Sequence, residues 1–303
     1  MDRKENSHPG ISFAYVGSGV NVDVLKFSHE KGMFKKHGLD MNMTYFSDES
    51  MSTTAVASGT ASAATAPVTD VLKALSNGAP MKIIMVNIDR FDHLFIARQG
   101  INSPKDLKGK KIAVVRYGSL TDIATRVFLR SWGMHPDKDV QFLELGNAPI
   151  RAAALSAGGI DATPMTLSFL PVAKLAGFNV IFDMSTMEMR FANRGVIASD
   201  RLIKEQPEIV KAIVAGFIEG TRYWKGQPEE AKAYLRKTHK LPDEEIDSMF
   251  LATNKFMRSE PVPDLEAIQN AWENIPDLKT QGTVNLKNFV DARFVNEVLK
   301  EMR

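Results

Sequence analysis

The stretch Ile11-Ser12-Phe13-Ala14-Tyr15-Val16, followed by Gly17-Ser18-Gly19, sets the pattern of the fold. Its bulky side chains alternate along the chain, which predicts a β-strand, and the glycines predict a turn. Residues 23–37 then carry apolar side chains at helical spacing, and Gly38 suits the left-handed backbone position that ends a helix. A strand, a turn and a helix in this order predict the start of an α/β domain.

The same alternation continues along the first third of the chain. We predict strands at 39–46, 61–66, 81–86 and 94–97, and helices at 50–58 and 68–76. Short connections marked by Gly or Pro join these segments, which predicts a mostly parallel sheet with helices on both faces.

A polar turn at residues 100–109 indicates a boundary, and a second βαβ series follows it. We predict strands at 111–115 and 140–145 and helices at 122–132 and 150–157. Residues 55–63 resemble residues 154–162, and each stretch precedes a Pro and a further helix; this echo is either an internal duplication or convergence. After a strand at 196–198 the chain turns helical, with helices predicted at 207–224, 228–239, 242–255, 264–274 and 290–302.

Composition excludes several functional classes. The 303 residues carry a net charge of only +2, without basic runs, so no nucleic-acid partner is expected. No apolar run reaches the roughly 18 residues that a membrane-spanning helix needs. The chain has no Cys, which excludes disulfides and cysteine nucleophiles, and its six His are scattered, so we expect no metal site and no cofactor. Its first residues are polar and lack the apolar core of a signal peptide, so we expect any such signal to have been removed.

Three motifs resemble those of a known family of transport proteins. They are Lys31-Gly32-Met33-Phe34-Lys35-Lys36-His37-Gly38-Leu39-Asp40, Asp106-Leu107-Lys108-Gly109-Lys110-Lys111-Ile112-Ala113 and Ala154-Leu155-Ser156-Ala157-Gly158-Gly159-Ile160-Asp161-Ala162. In order and spacing they resemble the solute-binding proteins of ABC importers in the nitrate, sulfonate, taurine and thiamine-pyrimidine group. The resemblance runs over residues 15–183 and fades in the helical tail.

The resemblance implies a two-lobed type II periplasmic-binding-protein fold, with each lobe a mostly parallel sheet flanked by helices. Residues 1–100 and 196–303 would form lobe I, including the C-terminal helices, and residues 101–195 would form an inserted lobe II. Two crossing strands would act as the hinge and the ligand would lie in the cleft. The partners expected are a small-molecule ligand and the membrane subunits of an ABC importer, and we expect a monomer in the periplasm or another extracytoplasmic location.

The loops that follow the strands are where a ligand should bind, because ligands of open α/β sheets lie beyond the carboxyl ends of the strands. We favour Tyr117-Gly118-Ser119-Leu120-Thr121, where a helix begins after a strand. Free N–H groups and the helix dipole favour an anion there, and Ser119 and Thr121 add hydroxyl donors. The alternative is that one of these hydroxyls only caps the helix.

Other candidates lie at or near strand ends. Aromatic side chains such as those of Tyr15, Phe46 and Phe91 either stack on a planar ligand or pack in the core, and Asn87 and Asn147 either orient the ligand or form turns. Arg116 and Arg190 are possible partners for an acidic ligand. The full predicted ligand-binding set is Tyr15, Ser18, Ala66, Pro67, Asn87, Phe91, Tyr117, Gly118, Ser119, Leu120, Thr121, Asn147 and Thr166.

The sequence therefore predicts a solute-binding protein that closes over an aromatic or heteroaromatic carboxylate, or a sulfonate; a neutral pyrimidine is the alternative ligand. The rival function is an enzyme on the same fold: menaquinone-pathway enzymes would require a catalytic His, for which His93 is the candidate, and pyrimidine-precursor synthases resemble proteins with a cysteine-rich motif, which this chain lacks. No catalytic residue is predicted. A ligand sensor would bring an output domain, and none is visible. We predict that Ser119→Ala with Thr121→Ala weakens ligand binding and leaves folding intact.

Overall fold

The computed structural model describes residues 8–17, 19–278 and 284–302. Its strands in chain order are β1 (His8–Val16), β2 (Leu39–Phe46), β3 (Ala63–Pro67), β4 (Met81–Ile88), β5 (His93–Ala97), β6 (Lys111–Val114), β7 (Gln141–Glu144), β8 (Ala162–Thr166), β9 (Asn179–Asp183) and β10 (Arg194–Ser199).

Helices connect and cover these strands. They are α1 (Val20–Glu30), α2 (Met33–Lys36), α3 (Met51–Ala57), α4 (Val68–Ser76), α5 (Leu120–Ser131), α6 (Pro136–Asp139), α7 (Ala148–Ser156), α8 (Leu170–Leu175), α9 (Asp200–Glu205), α10 (Pro207–Gly226), α11 (Pro228–His239), α12 (Asp243–Phe256), α13 (Leu265–Asn274) and α14 (Arg293–Glu301). Short 3₁₀ turns lie at Pro104–Leu107, Leu167–Phe169, Met184–Thr186 and Leu286–Phe289.

Among the described residues the strands form two sheets of five, with matching layouts. The first has the order β2-β1-β3-β10-β4 and the second β7-β6-β8-β5-β9. In each, the first three strands pair in parallel, and the fourth is antiparallel to both of its neighbours. Four of the five strands in each sheet therefore run the same way, which confirms the predicted α/β class with mostly parallel sheets. We call each sheet with its covering helices a lobe.

The echo between residues 55–63 and 154–162 falls at equivalent places in the two sheets. The first stretch runs from α3 into β3, and the second from α7 into β8. Both β3 and β8 are the third strand of their sheet. The likeness in sequence thus follows a likeness in position.

The chain crosses between the lobes earlier than the sequence predicted. Strand β5 was assigned to lobe I by the predicted boundary after residue 100, but His93 to Ala97 pair with Thr166 to Ala162 of β8 in the second sheet. The first crossing therefore occupies residues 89–92. The composition change at 100–109 instead marks the turn at Pro104–Leu107, inside the second lobe. The assignment of the remaining ranges to two lobes stays a prediction.

One predicted helix is divided in two. The pattern at 23–37 predicted a continuous helix, but α1 ends at Glu30 and α2 starts at Met33, because Gly32 between them adopts a left-handed conformation with φ 72°. Gly38 has φ 74° and precedes β2, as the pattern indicated.

The C-terminal helices pack on the first lobe through close backbone contact. A Cβ atom at Gly216 of α10 would lie 2.3 Å from Cδ1 of Phe34, and one at Gly220 would lie 1.9 Å from Oγ of Ser28. Glycine at these positions lets α10 approach α1 and α2. No helix of the described residues is long and apolar enough to cross a membrane.

Candidate functional site

A cavity of about 390 Å³ lies between the two sheets, at the carboxyl ends of their parallel strands. The first lobe contributes Gly17 after β1, Tyr45 near the end of β2 and residues 47–49 just after it. The second lobe contributes Val115 after β6, residues 146–151 after β7 and Thr166 at the end of β8. His93 and Arg194, which begin the two crossing strands, lie between them. This is the place where α/β sheets of this kind hold ligands.

Arg151, in the first turns of α7, is a buried cation on the second-lobe wall. It is 3% exposed, and it donates to the carbonyl oxygens of Gly146 at 2.8 Å and Pro164 at 3.2 Å. Its Nε is buried without a partner, and within the described part of the chain no carboxylate lies at ion-pair distance from it. Burial lowers the pKa of Arg151 to about 10, although the charge of Glu49 opposes this. The guanidinium is therefore charged at neutral pH and lacks a counter-ion.

The start of α7 faces the same space. Asn147 caps the helix by accepting a hydrogen bond from the amide of Ile150 at 3.4 Å, and Pro149 occupies its first turn. The positive end of the helix dipole thus adds to the charge of Arg151 at this wall.

A buried ion pair lies within the first lobe, between the start of β10 and the residues that follow β2. Arg194 is buried and donates from Nη2 to Oε1 of Glu49 at 2.5 Å, while its Nη1 is buried without a partner. Burial raises the pKa of Glu49, but the charge of Arg194 more than offsets this, and the pKa is lowered overall. Gly17 abuts this pair with φ 82°, and a Cβ there would lie 3.3 Å from both partners. A side chain at position 17 would therefore disturb the ion pair.

His93 lies beside a second buried carboxylate. Its Nδ1 is 3.1 Å from Oδ1 of Asp92, without the alignment of a hydrogen bond. The same Asp92 oxygen accepts a hydrogen bond from Nδ2 of Asn193 at 2.8 Å. Burial raises the pKa of Asp92, but the charges of His93 and Arg194 outweigh it and lower the pKa overall. Asp92 is therefore ionised behind the cavity.

Asp48 is the outermost charged group of the first-lobe wall. Its Oδ1 accepts from the hydroxyl and the backbone amide of Ser50, at 2.7 and 2.8 Å, and these bonds lower the pKa of Asp48. Two apolar side chains lie near the mouth of the cavity, Tyr45 on the first lobe and Ile150 on the second, each 53% exposed.

Of the predicted anion loop at residues 117–121, Thr121 lines this cavity, whereas Ser119 is turned to the start of its own helix. Ser119 is 1% exposed, and its Oγ accepts from the amide of Asp122 at 3.4 Å and lies 3.0 Å from Oγ1 of Thr121. The amide of Gly118 donates to the carboxylate of Asp122 at 2.8 Å. The start of α5 thus already holds an anion, the chain's own Asp122, and Ser119 acts as the helix cap. For Ser119 this is the capping role that the sequence offered as the alternative, and the ligand-binding role of the loop stays a prediction.

The other predicted residues divide into three groups. Those that line the cavity are Thr121, Asn147 and Thr166. Those placed elsewhere are Tyr15, Ala66 and Leu120 in core clusters, Pro67 before α4, Asn87 within β4 against Met257, Phe91 stacked on Phe191, and Tyr117 with its hydroxyl on the carbonyl of Phe142. Ser18 lies outside the described residues.

The two arginines proposed as anion partners have protein partners instead. Arg116 donates to Asp70 of α4 at 2.9 Å, and Arg190 pairs with Asp89 and Asp264. The first of these pairs joins the two lobes. Lys73 of α4 makes a second link by donating to the carbonyl oxygen of Gly118 at 2.5 Å.

The lining residues that were not predicted from the sequence include Arg151, Arg194, Asp48, Glu49 and Tyr45. Arg151 falls in a stretch predicted as helix, where an Arg usually faces solvent. The available signal was the run Gly146-Asn147-Ala148-Pro149, a helix start directly after a strand, with an Arg one turn further on.

Comparison with known proteins places these features in a family. The family model described as NMT1/THI5 like matches residues 24–231. A Brucella abortus protein named as a binding protein is 26% identical over 272 residues, covering 86% of this chain and 82% of its own. The riboflavin-binding protein RibY of Chloroflexus aurantiacus is 26% identical over 241 residues, covering 76% of this chain and 66% of its own.

Solved structures show the fold. The alkanesulfonate-binding protein SsuA of Xanthomonas axonopodis, bound to MOPS, has a TM-score of 0.77 at 14% identity, and the match covers 96% of this chain and 98% of that one. This is the periplasmic-binding-protein fold. The desulfurization enzyme DszB shares it with a TM-score of 0.68 at 15% identity, covering 98% of this chain and 100% of that one, so the fold alone does not separate binding proteins from enzymes.

Proposed function

Because the chain belongs to the NMT1/THI5-like family, we propose that it is the substrate-binding component of an ABC importer and binds a small organic acid at Arg151. The observation that carries the proposal is the buried guanidinium of Arg151, which lines the cleft cavity and has only neutral acceptors around it. A carboxylate or sulfonate supplied by the ligand would provide the missing counter-ion.

The rest of the cavity supports an acid with an apolar or planar body. Tyr45 and Ile150 offer exposed apolar surface on opposite walls, and a ring between them would bury surface of both lobes. We therefore keep the aromatic or heteroaromatic carboxylate, or the sulfonate, as the proposed ligand. The neutral pyrimidine is the alternative, and it would leave Arg151 uncompensated.

Capture would work by closure of the lobes. A ligand that touches both walls binds the closed form more tightly than the open form, and it shifts the population by that difference in affinity. In this proposal the protein acts outside the cytoplasm as a monomer, and the membrane subunits of the importer recognise the closed form.

The test is a thermal-shift screen of the purified protein with small carboxylates, sulfonates and neutral pyrimidines. A ligand at about 100 times its Kd adds roughly 2.7 kcal/mol of stability, which raises Tm by several degrees. We expect acids to give the shift. A shift from neutral pyrimidines alone would contradict the proposal.

The rival function is an enzyme that uses His93, beside Asp92, as its acid–base group. Prolonged incubation separates the two functions. A binding protein releases its ligand unchanged on denaturation, whereas conversion of the ligand, lost in a His93→Gln variant, would show an enzyme.

A further inference from the structure

The charges around the cavity do not balance for a simple anionic ligand. Asp48 and Glu49 line it and Asp92 lies directly behind His93, whereas the guanidinium groups are those of Arg151 and Arg194. The three carboxylates all have lowered pKa values and are ionised at neutral pH. The two carboxylates that line the cavity already balance its two guanidinium groups, so the negative charge of an added anion is in excess there.

The nearby cations do not remove this excess. Arg116 acts on Asp48 at longer range, but it forms its own ion pair with Asp70 at 2.9 Å. Lys73 donates to a backbone carbonyl and lies in the field of Asp70. Each of these cations is therefore already engaged within the cross-lobe contact.

The two walls carry different charges: over the residues that the structure describes, the second lobe has a guanidinium group with no carboxylate beside it, whereas the first lobe has two carboxylates and one guanidinium group, that of Arg194. The second lobe carries Arg151 and the start of α7, whereas Asp48 and Glu49 follow β2 on the first lobe. Both carboxylates are held in place, Asp48 by Ser50 and Glu49 by Arg194. Such fixed groups suit recognition, since little ordering is needed when a ligand binds.

Buried groups without partners show that a ligand should complete this site. Arg151 has an unpartnered buried Nε, and Arg194, which is 4% exposed, has an unpartnered buried Nη1. Both residues line the cavity. These donors call for acceptor atoms, which an acidic group provides, and Asp48 on the opposite wall has no cation at ion-pair distance in the part of the chain that the structure describes.

We propose that the ligand is a zwitterionic organic acid whose acidic group binds Arg151 and whose protonated amine binds Asp48 and Glu49. The inference rests on the proposed function and narrows its substrate class. A zwitterion adds no net charge to the cavity, and it offers an acceptor to Arg151 of the second lobe and a donor to Asp48 and Glu49 of the first lobe at the same time.

The experiment compares acids with and without an amine by calorimetry. The matched probes are taurine with ethanesulfonate, and para-(aminomethyl)benzoate with para-methylbenzoate. Buffers must not be zwitterionic, because such compounds are themselves candidate ligands. We expect the amine to lower Kd at least about tenfold in one pair or both, the factor typical of a charge-assisted hydrogen bond.

Variants of Asp48 and Glu49 test whether these carboxylates bind the amine of the ligand. Asp48→Asn and Glu49→Gln should weaken binding of the amino acid and strengthen binding of its amine-free partner, an exchange of preference that general misfolding cannot produce. Asp40→Asn is the matched control, because Asp40 is an exposed carboxylate in β2, near the end remote from the cavity. It should change neither Kd. If Glu49→Gln fails to fold, Asp48→Asn alone decides the point.

The outcomes separate this inference from the proposed function. Equal or tighter binding of the amine-free acids, abolished by Arg151→Met, would overturn the zwitterion and leave the acid-binding function standing. Neutral probes with N–H donors that bind as well as the amino acids would also overturn it. Binding by none of the acids, with or without the amine, at about 10 mM would overturn both.

Discussion

Replacing Arg151 with Met tests the basis of the proposed site. Burial lowers the pKa of Arg151 from its ordinary value to about 10, and this lowering corresponds to a cost of about 3 kcal/mol for the charged form in the folded protein. Met removes that cost, but it also removes the hydrogen bonds to Gly146 and Pro164, each of which contributes about 1 kcal/mol. The two effects oppose each other, so we expect the free energy of unfolding without ligand to change by no more than about 2 kcal/mol.

Ligand affinity should respond far more strongly. A buried charge pair with an acidic ligand contributes about 3 kcal/mol, so Arg151→Met should raise Kd about 100-fold. Arg151→Lys should give an intermediate Kd, because it keeps the charge and loses the planar fork. In the wild type, Kd should not follow the titration of Arg151 between about pH 6 and 9, since the guanidinium remains charged below its pKa of about 10.

The assay is calorimetry with an acid found in the thermal-shift screen, supported by urea unfolding of the unliganded variants. Arg201→Met is the matched control, because the side chain of Arg201 is 84% exposed and pairs only with Glu205 among the described residues. It should leave Kd unchanged. An Arg151→Met protein that folds and binds the acid within threefold of the wild type would refute the assignment of the anion site.

Three further predictions follow from named contacts. Asp70→Asn removes the negative charge from the 2.9 Å ion pair with Arg116 that joins the lobes. The loss of about 1 kcal/mol should open the unliganded protein, and an unchanged radius of gyration in solution scattering would speak against this. Ser119→Ala should cost about 1 kcal/mol of stability through loss of a helix cap and leave Kd unaltered. A loss of affinity at unchanged Tm would instead support residues 117–121 as the anion-binding loop. Nε2 of His239 donates to Oδ1 of Asp23 at 3.1 Å, and this hydrogen bond raises the pKa of His239 above 6.5. Since the folded state then holds the proton more tightly, this stabilisation is full below the unfolded pKa and is lost as pH rises through the folded pKa. His239→Gln should therefore lower Tm at about pH 5.5 and have little effect at about pH 9, as differential scanning calorimetry can show.

Local sequence patterns predicted the helices and strands well where a Gly or Pro marks the end of an element. The predicted bounds of β2, α4 and α11 agree with the structure, because Gly or Pro marks an end of each segment or the residue just outside it. The pairing of β5 could not be predicted in this way. An apolar strand fits either sheet equally well, and its place is decided by contacts with β8 and β9, which lie far along the chain.

The candidate site was harder to predict because two helix starts look alike in sequence. Both α5 and α7 follow a parallel strand and begin with a capping side chain, Ser119 or Asn147. What separates them is the residue one turn further on: Asp122 fills the anion position of α5, whereas Arg151 extends the positive charge of α7. The run Ser119-Leu120-Thr121-Asp122 has the spacing of a capping box, so this difference was readable before the structure.

The placement of charge also explains how binding and closure are coupled. If Arg151 were the only partner, an acid could bind to the second lobe in the open form and would have little reason to favour closure, because a ligand shifts an equilibrium only by its difference in affinity. Asp48 and Glu49 lie on the first lobe, so an amine on the same ligand gains its partners only when the lobes approach. The Asp70 to Arg116 bond forms across the same interface and adds to the stability of that state. A zwitterion therefore forms all of its contacts only in the closed form. Removal of the amine should reduce the compaction of the protein on binding as well as the affinity for the ligand.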